Sequence, residues 1–298
     1  MNIVTIYLRL RTLNRVELPA YKGSTFRGAL GHALKKTSCV VSGVACAQCP
    51  LFNKCAYAYL YETRNEREQS VAHPYVIEPP MTARQRYEAG ETLGLSIVLM
   101  GRAREYVPYL IRAIREMGER GLGRGIGRFR LEEAWTLENG EKEGIYHSED
   151  KRVFKPRGSL NLLEIPPVET REVEIHFTTV TALKEKGRIN LNPGFETIVR
   201  AVYRRMKALA WYHEGKSIPE PPDMQNYEVR AVNINIRRGW WMRYSNRQER
   251  KINYEGITGS MRFKGDLTAF TPLLQIGRHI HIGRGTVYGM GKYELTIN

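Results

Sequence analysis

Two glycine-rich segments of the chain are versions of one motif: GLGRGIGRFRL, residues 121–131, and GRGTVYGMGKYEL, residues 283–295. Each follows a short apolar segment, Tyr106 to Met117 in the first case and Leu267 to Ile276 in the second. Each ends in a Gly-[Arg/Lys]-aromatic-x-Leu stretch that reads as a strand. Self-similarity of this kind predicts an internal duplication. The repeated element is a cationic glycine loop, in which glycines let the backbone approach a phosphate and arginines supply charge.

The segments around the two loops predict the same order of elements twice. In the first half we expect a strand at 2–11, a helix from about Thr25, a strand at 93–100, a helix at 106–117 and a strand at 129–137. In the second half we expect a strand at 172–181, a helix at 193–213, a strand at 229–236, a hairpin-like region at 241–263 and an apolar segment at 267–276.

This order predicts an α+β protein of two tandem ferredoxin-like (βαββαβ, RRM-like) domains. The N-terminal domain is expected at 1–137, with a Cys-rich insertion after its first helix at about 38–62. A linker rich in charge and proline is expected at 138–170, and the C-terminal domain at 171–298.

The net positive charge of the chain indicates which kinds of molecule it binds. The chain of 298 residues has a formal net charge of +15, and 32 of its 46 cationic residues are arginine. Arginine favours forked contacts with phosphate and stacking on bases, so nucleic acid is the leading partner class. An anionic membrane surface is the rival, but the sequence lacks a run of about 18 apolar residues. We read no signal peptide at the start of the chain and expect a cytoplasmic protein.

A second basic region lies before the last glycine loop, where cations alternate with Trp240, Trp241 and Tyr244. This pattern is typical of surfaces that bind single-stranded or looped RNA, because charge follows the backbone and rings stack on unpaired bases. Its alternative is a solvated strand pair with both tryptophans partly in the core. The cations and tyrosine predicted to contact RNA are Arg237, Arg238, Arg243, Tyr244, Arg247, Arg250 and Lys251.

The second glycine loop is also predicted to contact the RNA backbone. Glycine-rich loops also occur wherever turns are tight, which is the alternative here, and the first loop, Gly121 to Gly127, is equally well explained as a packing element. The residues of the second loop assigned to RNA are His281, Gly283, Arg284, Gly285, Gly289, Gly291 and Lys292.

The cysteines of the chain all lie within one short segment. Cys39, Cys46, Cys49 and Cys55 follow the spacing C-x6-C-x2-C-x5-C, with Pro50 after the close pair. Four thiolates at such spacing predict a closed structural zinc site, which leaves no open position for catalysis. An iron–sulfur cluster bound by the same cysteines is the first alternative to zinc. Four thiols without a metal are the second.

Three stretches resemble a known family. Phe26-Arg-Gly-Ala-Leu-Gly-His-Ala-Leu34, Cys55-Ala-Tyr-Ala-Tyr-Leu-Tyr-Glu62 and His281-Ile-Gly-Arg-Gly-Thr-Val-Tyr-Gly-Met-Gly291 are similar to segments of the Cas6 family of precursor-crRNA-processing endoribonucleases, in the RAMP superfamily of CRISPR proteins. The resemblance covers nearly the whole chain and is weakest between about 138 and 170. The last glycine loop marks the superfamily without separating nucleases from non-catalytic subunits.

The resemblance implies cleavage of CRISPR repeat RNA without a metal ion. The 2′-hydroxyl attacks the adjacent phosphate and leaves a 2′,3′-cyclic phosphate and a 5′-hydroxyl, which needs a base, an acid and a cation. In relatives a histidine on or near the first helix often serves, helped by tyrosine and lysine. His32 is our first candidate, with Tyr21, Lys22, Lys35 and Lys36 beside it and with His279 and His281 in reserve; its alternative is a solvated helix histidine.

Two other interpretations remain. One is a non-catalytic RAMP subunit that binds guide RNA within a CRISPR effector complex and so has other effector subunits as partners. The other is a generic RNA-binding module with a cysteine-bound metal. Neither the cognate repeat nor the oligomeric state is predicted from the residues.

Overall fold

The structure, a computed structural model, describes residues 1–41, 43–63, 71–123, 126–245 and 250–298, with 244, 245, 250 and 251 described by their backbone only. The chain divides into two compact units. The first comprises Met1–Asn161 with Tyr212–Gly215, and the second comprises Leu162–Trp211 with Lys216–Asn298. Among the described residues, no helix is long and apolar enough to cross a membrane.

The first unit has a mainly antiparallel architecture. Its described strands are β1 (Asn2–Thr12), β2 (Val16–Glu17), β3 (Tyr75–Glu78), β4 (Arg86–Tyr87), β5 (Thr92–Met100), β6 (Phe129–Glu138), β7 (Glu141–His147) and β8 (Leu160–Asn161). Its helices are α1 (Gly23–Ser38), α2 (Ala56–Tyr61) and α3 (Val107–Arg120). The main sheet has the order β3-β5-β1-β6-β7, with β8 on β1. Along the chain, the four central strands and the two long helices follow the order β1-α1-β3-β5-α3-β6. This order, with the strand order of the sheet, confirms the predicted ferredoxin-like fold.

Alternation along β1 and helical spacing along α1 build the core of the first unit. Ile6, Leu8 and Leu10 are buried because successive strand side chains point to opposite faces. Phe26, Leu30, Ala33 and Leu34 form the buried stripe of α1. His32 lies off this stripe and is exposed, as its position on the helix predicts.

The predicted linker differs from the observed structure. Residues 141–147 form β7, which pairs with β6 through a tight turn at Asn139 and Gly140. Both turn residues have positive φ, 51° and 83°, the conformation that Asn-Gly hairpin turns require. The Asn-Gly pair was therefore the signal for a strand within the stretch read as a linker.

The second unit repeats the fold. Its described strands are β9 (Glu172–Thr181), β10 (Leu183–Glu185), β11 (Arg188–Asn190), β12 (Val229–Ser245), β13 (Arg250–Gly265) and β14 (Tyr293–Ile297), and its helices are α4 (Phe195–Glu214) and α5 (Thr271–Ile280). The sheet order is β12-β13-β9-β14, and a pair formed by β10 and β11 lies apart from it. The predicted strand at 229–236 and the predicted hairpin at 241–263 are one long hairpin, because β12 continues through both.

Apolar faces of the sheet and of α4 meet in the core of the second unit. Val173, Ile175 and Phe177 are buried on β9. The apolar stripe of α4 is buried as well; it consists of Phe195, Ile198, Val202, Met206 and Leu209. Phe195 contacts Phe263 and Phe270 at ring-centroid distances of 5.2 and 5.4 Å. This cluster closes the core beside α5.

Two glycines of α1 allow a matched test of packing. Gly28 has open space where a Cβ would be, whereas a Cβ on Gly31 would lie 2.6 Å from Cε1 of Tyr61. Tyr61 cannot easily yield, since its hydroxyl donates to the Arg27 carbonyl at 3.0 Å. We expect Gly28→Ala to raise the free energy of unfolding by about 0.5–1 kcal/mol. We expect Gly31→Ala to lower it by about 1–3 kcal/mol.

Urea unfolding of the two variants and the parent protein measures both effects. Gly31→Ala as stable as Gly28→Ala would contradict the packing of α1 against Tyr61.

Candidate nucleic-acid interface

The glycine loop, residues 281–292, begins where α5 ends and leads into β14. Gly283 and Gly291 have φ of 80° and 75°, in the left-handed region that favours glycine. A Cβ on Gly283 would lie 2.5 Å from the Ala182 carbonyl oxygen, and one on Gly291 would overlap the backbone of Ile282. Both glycines are therefore required by the loop's own backbone, whatever ligand it binds.

Hydrogen bonds fasten the loop to the end of β9. The Arg284 amide donates to the Ala182 carbonyl at 3.2 Å, and the Gly291 amide donates to the Val180 carbonyl at 3.2 Å. The hydroxyl of Thr179 donates to the Gly289 carbonyl at 3.1 Å. Because the amides of Arg284 and Gly291 already have partners within the protein, they hold the loop in place and do not bind an anion.

His281 anchors the loop from inside. Its side chain is fully buried, and its Nδ1 lies 3.1 Å from the Met290 carbonyl oxygen. This position differs from the predicted contact with RNA and from the reserve catalytic role. The reason is local: His281 has a φ of 58° at the end of α5, which turns the chain and directs the ring inward.

Arg205 supports the same turn from α4. Its Nε donates to the Ile280 carbonyl at 2.6 Å, at the C-terminal end of α5, where a cation is favoured by the helix dipole. Burial lowers the pKa of Arg205 to about 10. This role of Arg205 is not evident from sequence, because an arginine on an amphipathic helix is expected on the solvated face.

The loop meets the hairpin of β12 and β13 at three aromatic rings, which we call the aromatic trio. Trp241 lies 5.2 Å from Tyr254 and 5.6 Å from Tyr288, measured between ring centroids. Tyr254 and Tyr288 lie 6.2 Å apart. Thus two segments that were predicted separately to bind RNA are brought together. Tyr254 and Tyr288 were missed, because only a three-dimensional contact distinguishes them from other tyrosines.

Two arginines lie over the rings of the trio. The Cζ of Arg243 is 4.7 Å from the centroid of Tyr288, and the Cζ of Arg284 is 5.7 Å from that of Tyr254. Cation–π contacts at such distances hold a guanidinium in place. The Nε of Arg243 is buried and has no hydrogen-bond partner among the described residues.

Adjacent tryptophans on β12 have opposite environments. Trp241 is 9% exposed and belongs to the trio, whereas Trp240 is 76% exposed. Arg237 and Arg238 are exposed, and Arg238 is paired with Glu255. Side chains alternate between the faces of a strand, and on the face of Trp241 the rings of Tyr254 and Tyr288 cover it, so only the ring of Trp240 is exposed. Trp240 is therefore exposed, as the prediction of a ring available for stacking requires, and Trp241 is largely buried, as the alternative of a tryptophan partly in the core requires.

The other RNA candidates of this region are less defined. Lys292 is partly buried, and its amide and carbonyl bond to Thr179 and Thr178. Arg247 lies outside the described residues. The backbones of Tyr244, Arg250 and Lys251 form the ends of the hairpin strands, and their side chains lie outside the description.

The catalytic candidates lie in the first unit. His32, Lys35 and Lys36 are exposed on α1. The Nζ of Lys36 pairs with Oε1 of Glu116 at 2.6 Å, and the Nζ of Lys35 lies 5.6 Å from the ring centroid of Tyr57. The lysines thus already have protein partners, while the histidine ring is presented to solvent.

The residues just before α1 are more enclosed. The pKa of Tyr21 is raised above its usual value, mainly by burial and to a smaller extent by the negative charge of Glu78, so the phenol stays protonated. Lys22 is fully buried and donates from Nζ to the carbonyls of Ala20 and Thr82 at 3.1 and 2.6 Å. Lys22 therefore stabilises the approach to α1 and does not join a solvent-facing set with His32.

The cysteines frame the insertion between α1 and α2. Cys39 follows α1, Cys46 and Cys49 flank a short turn, and Cys55 precedes α2. None of the four forms a disulfide, and burial raises the pKa of the Cys46 thiol. Within the described ranges, no group of three or more His, Cys, Asp or Glu side chains is arranged to hold a metal ion. The predicted metal site is thus unsupported by this arrangement, and zinc stays a prediction.

Comparison with known proteins places both units. The N-terminal domain family AF_1859_N matches residues 1–158, and the family described as CRISPR-associated endoribonuclease Cas6 matches residues 175–293. A protein of Archaeoglobus fulgidus, described as uncharacterized, is 28% identical over 285 residues, which cover 93% of this chain and 92% of the relative.

Solved structures share the fold along the chain. A Cas6 product complex has a TM-score of 0.58 at 16% identity, covering 99% of both chains. Thermus thermophilus Cas6 has a TM-score of 0.57 at 14% identity, covering 99% of this chain and 98% of that one. A RAMP protein binding different RNA substrates has a TM-score of 0.51 at 12% identity, covering 98% and 99%. Residues 175–293 thus match the Cas6 family model, and the solved structures share the fold of the whole chain.

Proposed function

We propose that this protein binds CRISPR repeat RNA and cleaves precursor crRNA without a metal ion in the chemical step. The match of residues 175–293 to the family described as CRISPR-associated endoribonuclease Cas6 supports the reaction class. The observation that supports RNA binding is the aromatic trio. Arg284 of the glycine loop and Arg243 of the hairpin each lie over one of its rings.

The arginines suit an RNA backbone. A guanidinium held over a ring has lost part of its rotamer freedom before it binds, so less entropy is lost when a phosphate arrives. Arg243 and Arg284 are assigned to phosphates in this way. Trp240 has its ring exposed on the same hairpin and is assigned to stacking on an unpaired base.

The proposed reaction is an in-line attack within the RNA. The 2′-oxygen forms a bond to phosphorus while the bond from phosphorus to the 5′-oxygen breaks. A base accepts the proton of the 2′-hydroxyl, and an acid donates a proton to the leaving 5′-oxygen. Histidine suits either proton transfer, because imidazole ordinarily titrates near neutrality. We assign this role to His32, which is exposed on α1, and charge stabilisation to Lys35 and Lys36. Tyr21, with its phenol kept protonated, is assigned to hydrogen bonding near the site.

His32 is tested with His147 as its matched control, since both rings are exposed. The assay follows cleavage of labelled repeat RNA in excess EDTA under single-turnover conditions. We expect His32→Ala to slow cleavage by about 10²–10⁴-fold with RNA affinity unchanged, and His147→Ala to keep the parent rate. A 2′-deoxy substitution at the scissile nucleotide should block cleavage.

Two results would oppose this assignment. Cleavage by His32→Ala at the parent rate would remove the histidine from the mechanism. Tight binding without any cleavage by the parent protein would instead favour a non-catalytic RAMP subunit.

The arginines are tested through salt dependence. On single-stranded RNA, each lost phosphate contact should make the slope of log affinity against log salt shallower by about 0.7. We expect this change for Arg243→Ala and for Arg284→Ala. Arg204→Ala removes the same charge from the exposed side of α4 and should leave the slope unchanged. Equal slopes for all variants would count against the trio as the backbone contact.

We also propose that the four cysteines bind one structural zinc ion. Elemental analysis of anaerobically purified protein should give about one zinc per chain, and Cys49→Ser should reduce it. Visible absorption with bound iron would indicate a cluster instead. Protein that folds with neither metal would leave the cysteines as ordinary thiols.

A further inference from the structure

The outward face of the first unit's sheet carries an aromatic pair that the proposed function does not use. Tyr7 on β1 is paired directly with Trp135 on β6. Their ring centroids lie 5.8 Å apart with planes inclined by 19°. Tyr7 alternates with the buried Ile6 and Leu8, so both rings lie on the side opposite the core. Two large rings on the outer face of a sheet contribute little to the core beneath it.

A continuous row of residues crosses the sheet at this pair. Backbone pairing places Glu78, Ser96, Tyr7, Trp135 and Gly144 in register on five neighbouring strands. Ser96 donates to Glu78 at 2.7 Å, which ends the row on one side in a polar group. On the other side, a Cβ on Gly144 would meet nothing within 4 Å. The row thus has open space beside Trp135.

Two cations lie over the tryptophan. The Nζ of Lys142 is 4.5 Å and the Cζ of Arg9 is 5.5 Å from the ring centroid of Trp135. Both cations pair with the same carboxylate, Glu133, and both remain nearly half exposed. Glu132 also interacts electrostatically with Arg9, Arg11 and Arg130. The four cations of this part of the sheet, Arg9, Arg11, Arg130 and Lys142, thus outnumber the two carboxylates Glu132 and Glu133.

We propose that Tyr7 and Trp135 form a stacking platform for an unpaired nucleotide of the bound RNA, with Arg9 or Lys142 taking its phosphate. Ferredoxin-like sheets that bind single-stranded RNA use aromatic residues on this face, because every base has a flat surface that stacks on a ring. The cations beside Trp135 are complementary in charge to the phosphate of a nucleotide. The proposal rests on the proposed function for the identity of the ligand as RNA.

The test compares two probes of equal charge, a 12-nucleotide oligoadenylate and an abasic 12-mer with the same sugar–phosphate backbone. If a base stacks on the platform, Trp135→Ala should weaken oligoadenylate binding by about 5- to 150-fold and leave abasic binding nearly unchanged. Trp135→Phe keeps a ring and should recover most of the affinity. Trp211→Ala removes an exposed tryptophan from α4 and should behave as the parent protein.

The controls separate loss of fold from loss of stacking. Thermal unfolding identifies a Trp135→Ala protein that is not folded, and in that case Trp135→Leu combined with Tyr7→Leu replaces it, since both keep apolar bulk without a ring. Ultraviolet crosslinking of a 5-iodouridine oligonucleotide should then map to β1 or β6 in the parent protein.

Each outcome is decisive. Loss confined to the base-containing probe supports the platform. Unchanged affinity, or equal loss on both probes, overturns it while the basic hairpin can still bind RNA. If the parent protein binds neither probe nor repeat RNA, the proposed function itself fails.

Discussion

The close approach of backbone to backbone at the end of β9 is the constraint on which the proposed RNA-binding region depends. Gly283 and Gly291 bring the glycine loop to distances that a side chain would prevent, and hydrogen bonds to Val180 and Ala182 hold it there. The loop therefore has a defined shape. Because of this shape, Tyr288 reaches Trp241 and Arg284 reaches Tyr254. The glycines act through the side chains that they position.

Rings that carry cations recur in both units. In the second unit Arg243 lies over Tyr288, and in the first unit Lys142 lies over Trp135. In water a cation–π contact contributes only about 0.5–1 kcal/mol at an exposed site, so neither contact is a major source of stability. Its more important effect is to restrict a long side chain to a small region. An RNA-binding surface benefits from such restriction, since backbone phosphates are regularly spaced.

Several expectations were changed by burial, which composition and spacing do not reveal. His281 lies within the basic glycine loop in sequence, yet it is fully buried and bonds to Met290. Lys22 precedes the first helix beside Tyr21, yet two carbonyls enclose its ammonium group. Exposure of His32 was predicted correctly, because a long amphipathic helix has one apolar face and its other residues must lie outside. A residue at the end of a helix or in a loop has no such periodicity.

The sequence by itself determined the two ferredoxin-like folds, the buried stripes of α1 and α4 and the basic character of the second unit. These properties depend on periodicity and composition, which are local or additive along the chain. Only the tertiary structure decided which rings and cations meet, including the trio of Trp241, Tyr254 and Tyr288 and the row through Tyr7 and Trp135. Such contacts join residues far apart in the chain, and strand register decides them: a shift of one residue would turn every side chain of a strand to the opposite face.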